Sequence, residues 1–311
     1  MYTARFCSHP VTTNAINPAR YCFLTLSLLL FFFGCQPPSR QENTQDKKPA
    51  KEFKLYSTSV KDSFYLQVRL PKVPLHPEDK FPLLIVLDGN FHFPSLASVV
   101  QSYGEVGLLA NAVVVGLGYK DFGQMDSLRS RDYTFPKALP EYEMAPSGGA
   151  PAFLQFLKTE LIPELRKNYP CNQEVYLFGH SLGGFFCLYA LKEQWQTGDS
   201  TFSGFVVASP SLHYNRYFLL EELEQLEQLA TDSSKRQLAR VFVGFGSQED
   251  DPEEEEEIPV AEVLSRLEAL DPTRERIKTG LFAPLEHMET PLPVLQRGWA
   301  EVNPIGNRRY E

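Results

Sequence analysis

A serine set between glycines is where chemistry is most plainly written in this chain. Gly179-His-Ser-Leu-Gly183 has the form Gly-x-Ser-x-Gly, the mark of a sharp strand-to-helix turn that leaves a serine hydroxyl exposed. Before it, Val175 to Phe178 is a short apolar, β-branched and aromatic run that predicts a buried strand. After it, Leu182 to Leu191 has apolar residues at helical spacing. So abrupt a turn strains the backbone at Ser181, and the flanking glycines remove side chains that would clash with strand and helix. Gly184 allows the helix to pack closely on the sheet. A serine hydroxyl is a weak nucleophile until an adjacent base takes its proton, and the base needs a group to orient it. Ser181 is the candidate nucleophile, and a base, an acid and two oxyanion donors must be positioned around it.

The positioning elements can be read along the chain. Phe53 to Ser59 and Ser63 to Leu70 alternate apolar with polar residues, which predicts an antiparallel hairpin with one wet face. Phe81 to Leu87 and Ala112 to Gly116 are continuous apolar runs, hence strands buried on both faces. Phe205 to Ser209, Val241 to Gly246 and Ile277 to Phe282 are further strands. Helices are expected over Phe93 to Tyr103, Pro151 to Tyr169, Val260 to Leu270 and Leu292 to Trp299. Tyr119 to Gly149 shows no periodicity and reads as a long loop, which inside a compact domain is usually functional or disordered. Leu219, Leu220, Leu223, Leu226 and Leu229 stripe an otherwise acidic helix, which either packs on the core or lies as a lid over the site. Glu253 to Glu257 reads as a solvated charge run without the ligand spacing of a Ca²⁺ loop. Strands alternating with helices predict an α/β fold with a mostly parallel, doubly wound sheet, and the elbow makes it an α/β-hydrolase fold.

In that fold the order is nucleophile, acid, then histidine. Of six histidines, His9 lies in the leader, and His76 and His92 precede the serine. His180 occupies the variable position of the elbow, and His213 follows a strand with no strand-end carboxylate before it. His287, on a loop after the last strand, is the expected base. The acid belongs just past Val241 to Gly246, where Glu249, Asp250 and Asp251 all qualify. One oxyanion donor is the backbone N–H of Leu182. The second is expected after the Phe81 to Leu87 strand, at Asn90 or its neighbour Phe91.

The chain has 311 residues, 43% of them hydrophobic and 13% aromatic, enough for one large α/β domain. Its formal charge of −9 argues against nucleic acid, which needs a basic footprint. Residues 1–34 read as an export signal: Arg5 and Arg20 precede an apolar core, Tyr21 to Phe33, that is too short to span a bilayer. Gly34-Cys35 directly after that core resembles a bacterial lipoprotein signal, implying lipidation of Cys35 and membrane anchoring through it. Residues 35–52 then read as a disordered tether, 53–300 as the hydrolase domain and 301–311 as a tail. Cys171 and Cys187 are expected to be free, buried thiols. A strand rising to Ser181 and a helix descending from it hold them beyond bridging distance.

Taken together, Leu87-Asp-Gly-Asn90, Arg131-Asp-Tyr-Thr134, Gly179-His-Ser-Leu-Gly-Gly184, Ser209-Pro-Ser211, Gly246-Ser-Gln-Glu249 and Glu286-His-Met288 resemble the putative-esterase family of α/β hydrolases. The likeness is to its siderophore trilactone esterase branch. The resemblance implies Ser181 as nucleophile, His287 as base, Glu249 as acid and Asn90 as oxyanion donor. Arg131 reads either as a surface arginine paired to Asp132 with no catalytic part or, as the resemblance implies, as a guanidinium beside the nucleophile that grips a carboxylate or phenolate of the substrate. Where the family often carries Trp after Ser-Pro-Ser, this chain has Leu212-His213-Tyr214, so His213 and Tyr214 are expected to shape a different pocket. The implied activity is hydrolysis of a small-molecule ester, with no metal or organic cofactor required. The acidic run beyond Glu249 disfavours highly anionic ferric catecholates.

Overall fold

The computed structural model describes residues 51–73, 76–229, 239–250 and 258–305. The chain divides into two units, Met1–Pro49 and Ala50–Glu311, and the described residues all belong to the second. The export signal, Cys35, the tether up to residue 50, Asp251, the Glu253 to Glu257 run and the last six residues lie outside them.

Eight strands form one sheet: β1 (Lys51–Ser57), β2 (Asp62–Arg69), β3 (Phe81–Val86), β4 (Val113–Gly118), β5 (Cys171–His180), β6 (Gly204–Ala208), β7 (Arg240–Gly246) and β8 (Ile277–Phe282). Their spatial order is β1-β2-β4-β3-β5-β6-β7-β8. β1 and β2 make the expected antiparallel hairpin, and β2 joins β4 antiparallel. All remaining pairs are parallel. In β2 the alternate residues Phe64, Leu66 and Val68 point inward, whereas β4 and β6 are buried at every position. This is the difference between a strand with one wet face and strands covered on both.

Helices cover the two faces. α1 (Gly89–Glu105) and α8 (Pro291–Val302) pack Phe93, Leu96, Val294 and Trp299 on one face, against Val86, Val114, Phe178 and Val206. The opposite face holds α3 (Ala150–Phe156), α4 (Ile162–Asn168), α5 (Leu182–Thr197), α6 (Phe218–Leu229) and α7 (Val260–Ala269). The expected helix over Pro151 to Tyr169 is α3 and α4 joined through a π-helical turn, Leu157–Leu161. The turn lies just ahead of Pro163, which has no N–H to give the preceding turn. Leu219, Leu220 and Leu223 of α6 are fully buried, so this helix packs on the core and is not a lid.

Three elements differ from the sequence expectation. β1 begins at Lys51, so Lys51 and Glu52, read as the end of the tether, pair with β2 in the hairpin. α1 begins at Gly89, two residues after β3, and not at Phe93; Pro94 inside it hides the first turn in the sequence. The segment read as a loop contains α2 (Phe122–Tyr133), which buries only Met125, Asp132 and Tyr133 and so shows no apolar period. Its start is fixed by Asp121, whose side chain accepts from Gln124 N–H. That Asp-x-x-Gln spacing is a capping signature visible in the sequence. Cys171 and Cys187 are both free as expected, but only Cys187 is buried. Cys171, at the start of β5, is half-buried.

Trp299 is fully buried, donates its indole N–H to Ala110 O at 2.8 Å and meets Tyr176 edge-on. Trp299→Ala should therefore cost about 3–5 kcal/mol, read as a lower urea midpoint at unchanged slope.

Candidate active site

Ser181 joins β5 to α5 with φ 59° and ψ −121°, a conformation a non-glycine residue holds only when its surroundings force it. Here they do. Ser181 N–H donates to Ala208 O at 3.0 Å, and Ser181 O accepts from Ser211 N–H at 3.2 Å and Phe185 N–H at 2.9 Å. A Cβ on Gly179 would overlap the Gly183 carbonyl, and one on Gly184 would stand 3.1 Å from Ala208 O and from Pro210 Cα. Both glycines thus follow from the tightness of the turn. The Ser181 hydroxyl pairs with Ser211 Oγ at 3.1 Å. At the first position of α5, Leu182 N–H has no acceptor among the described residues.

The base and acid candidates meet across two loops. His287 opens a short 3₁₀ turn, His287–Glu289, after β8, and its Nδ1 lies 2.9 Å from Glu249 Oε2. The other Glu249 oxygen accepts from Ser209 Oγ at 2.6 Å and from Gly246 N–H. Burial pushes the Glu249 carboxyl up, but hydrogen bonds from His287, Ser209 and Gly246 outweigh it and hold its pKa below the usual carboxylate value. Asp250 turns away, accepting from Val260 N–H at 2.7 Å at the start of α7, so Glu249 alone of the described candidates reaches His287. The His287 ring lies 4.6 Å, centroid to centroid, from His180, the residue before Ser181.

A family model described as "Putative esterase" matches residues 57–280. The chain belongs to that family. Ferri-bacillibactin esterase BesA of Bacillus subtilis (strain 168) is 28% identical over 260 residues, covering 79% of this chain and 87% of that protein. Siderophore triacetylfusarinine C esterase of Aspergillus fumigatus is 28% identical over 191 residues, 58% of this chain and 62% of that one. Among solved structures, BES protein from Bacillus cereus superposes with a TM-score of 0.68 at 25% identity, covering 84% of this chain and 97% of that chain. The protein is a carboxylic ester hydrolase on an α/β-hydrolase fold, and it is similar to proteins named as siderophore esterases.

Other expected site residues of the esterase divide. Asn90 sits in the first turn of α1, where its side chain clamps the Tyr119 backbone from both sides: Nδ2 donates to Tyr119 O at 2.8 Å, and Oδ1 accepts from Tyr119 N–H at 2.7 Å. Phe91 N–H is taken by Asp88 O, whereas Asn90 N–H has no acceptor among the described residues. Of the two, Asn90 keeps its N–H free. His213 is exposed and lines a cavity of about 330 Å³ together with Ser211, Tyr217, Phe245, Glu249 and His287. A larger cavity, about 410 Å³, lies against the hairpin and includes neither Ser181 nor His287.

Two expectations are corrected. Tyr214 is buried, donates to Pro136 O at 2.8 Å and packs on Phe185, so it is a core residue and lines neither of these cavities. Arg131 is committed to carboxylates, at 2.7 and 2.9 Å from Asp132 and 2.9 Å from Asp62. It ties α2 to the hairpin, so of its two readings the structure favours the pairing with Asp132.

The arginine that the sequence reading missed is Arg129. Its guanidinium meets the buried Asp88 at 2.8 and 3.2 Å and donates to His180 O at 3.2 Å, linking the start of α1 to the elbow. Tyr133, four residues on and so on the same face of α2, accepts from Asp88 N–H. Recognising α2 by its cap would have put Arg129 and Tyr133 on one face.

The depressed Glu249 pKa has a sign. A carboxyl whose folded pKa lies below its unfolded value contributes stability that is complete above the unfolded value, about 4.5, and is lost as pH falls through the folded one. The gap in Tm between wild type and Glu249→Gln should be constant from neutral pH to about 5 and close as the solution becomes more acidic. A gap that widens toward acid would contradict the assignment.

Proposed function

We propose that this esterase hydrolyses siderophore-type or aryl esters with Ser181 as nucleophile, His287 as base and Glu249 as the acid that orients it. The observation that carries the reading is the Glu249–His287 hydrogen bond, 2.9 Å, beside a serine held in a strained elbow. In the resting enzyme the Ser181 hydroxyl pairs with Ser211, so it rotates toward His287 as the ester binds. Catalytic contacts of this kind often tighten only with substrate present.

Ser181 Oγ then attacks the ester carbonyl while His287 Nε2 takes its proton. Leu182 N–H and Asn90 N–H receive the charge that develops on the carbonyl oxygen. Glu249, kept ionised by its three donors, stabilises the imidazolium. His287 returns the proton to the leaving alcohol, and water, activated by the same imidazole, releases the acid and frees Ser181.

Among the described residues lining the cavity beside His287 there are two carboxylates, Glu249 and Asp250, and no lysine or arginine. Neutral esters are therefore preferred over highly anionic ferric catecholates. The measurements are p-nitrophenyl acetate turnover, fluorophosphonate labelling and a panel of acyl, feruloyl and trilactone esters. Ser181→Ala abolishes turnover and all labelling, and His287→Ala loses a similar factor, since members of a triad act as one unit. Glu249→Gln costs far more than Asp250→Asn. Labelling of any other serine, or an unimpaired His287→Ala, sinks the mechanism; preference for the most anionic ester sinks the substrate class.

We also propose that the enzyme works in a bacterial cell envelope, anchored by lipid on Cys35, a reading supported by the leader and Gly34-Cys35 in the sequence. Wild type should stay in the membrane pellet and Cys35→Ala should not; equal partition would end that proposal.

A further inference from the structure

His180 stands at the variable position of the elbow, where the motif demands nothing of the side chain, yet it is only 3% exposed. Its Nε2 lies 3.0 Å from the carbonyl oxygen of His287. Four groups surround it: His92 of α1 edge-on at 5.4 Å, the His287 ring at 4.6 Å, and Arg129 of α2 with its partner Asp88. Burial above all, with His287, His92 and Arg129 adding to it, pushes the His180 pKa down to about 3. The ring is neutral at any working pH, and a neutral imidazole has one N–H. A carbonyl oxygen only accepts, so that proton sits on Nε2.

Thr290 Oγ1 also donates to His287 O, at 3.0 Å, and lies 2.7 Å from Ser209 Oγ, whose own proton goes to the ionised Glu249 at 2.6 Å, a charge-assisted bond. His287 O is thus held by two donors. Thr290 belongs to the same loop as His287, so of the two it is His180 that reaches the carbonyl from the elbow.

We propose that His180 is a positioning residue that sets the spacing between nucleophile and base. It is one peptide bond from Ser181, so its hydrogen bond ties the His287 loop to the nucleophile's own backbone. Glu249 orients the imidazole from the Nδ1 side; His180 fixes how far the loop stands from Ser181. A neutral donor suits this place, because a cation here would oppose the imidazolium formed on His287 during turnover. The inference rests on His287 being the base.

The test compares His180→Gln, His180→Asn and His180→Phe with His287→Ala, reading kcat and KM on p-nitrophenyl acetate and the urea midpoint. Gln ends its amide where Nε2 was, Asn stops short at the Nδ1 radius, and Phe keeps the ring without a donor. His180→Gln should keep kcat within about threefold, whereas the Asn and Phe variants should lose on the order of 10–100-fold, as expected when reacting groups shift by about 1 Å. KM should stay within about twofold in all three, since the loss is of a transition-state interaction. A purely packing role predicts the reverse order, Phe better than Gln at a buried site. That order, or Asn equal to Gln, overturns the proposal, and should Phe not fold, the Asn–Gln pair still decides. An active His287→Ala would overturn the triad reading instead.

Discussion

Everything at the catalytic edge depends on one unfavourable backbone conformation. Ser181 is held at positive φ, which costs on the order of 1–3 kcal/mol and survives only because neighbours on both sides require it. Ala208 O at the end of β6 takes the serine N–H, and the serine carbonyl receives Ser211 and Phe185. The parallel register of β5 with β6, His180 against Ala208, brings those partners level with the turn. The core on each face of the sheet therefore has a local task beyond stability. It holds two strand ends in register so that one strained residue has nowhere else to go.

Charge at the site is arranged by the same economy. Glu249 is largely buried, yet its oxygens meet His287, Ser209 and Gly246, which outweigh the desolvation that favours the neutral form. Asp88, deeper still, meets Arg129. These two acids divide the work. Glu249 faces the imidazole, and the Asp88–Arg129 pair braces the start of α1 against His180, the residue preceding Ser181.

Much of this was legible in the sequence because buried parallel strands are written as unbroken apolar runs, and the elbow as glycines at fixed spacing. Ser181, Glu249, His287, Leu182 and Asn90 were proposed that way, with the family resemblance choosing Glu249 from three neighbouring acids. What stayed hidden was held by polar contacts that follow no period. α2 buries three residues, so its pattern is silent, and with it went Arg129. Arg131 and Tyr214 were named from their neighbourhood in a motif, but their environment turns one to Asp62 and Asp132 and the other into the core. The role of His180 could not be read at all, because its partner is a main-chain carbonyl 107 residues away.

The polar contacts at the carboxyl edge form a closed circuit: Ser209 to Glu249, Glu249 to His287, the His287 loop to Thr290, and Thr290 back to Ser209. A circuit of this kind limits how such a scaffold can diversify. Insertions between β6 and Ser209, between β7 and Glu249, or between β8 and Thr290 would open it, so those short spans are poor places for evolution to experiment. The stretch from Pro136 to Gly149 and the turn at His213 stand outside the circuit, and change there leaves its members untouched. New substrate preferences are therefore most cheaply acquired in those two segments, with the chemistry carried along unaltered.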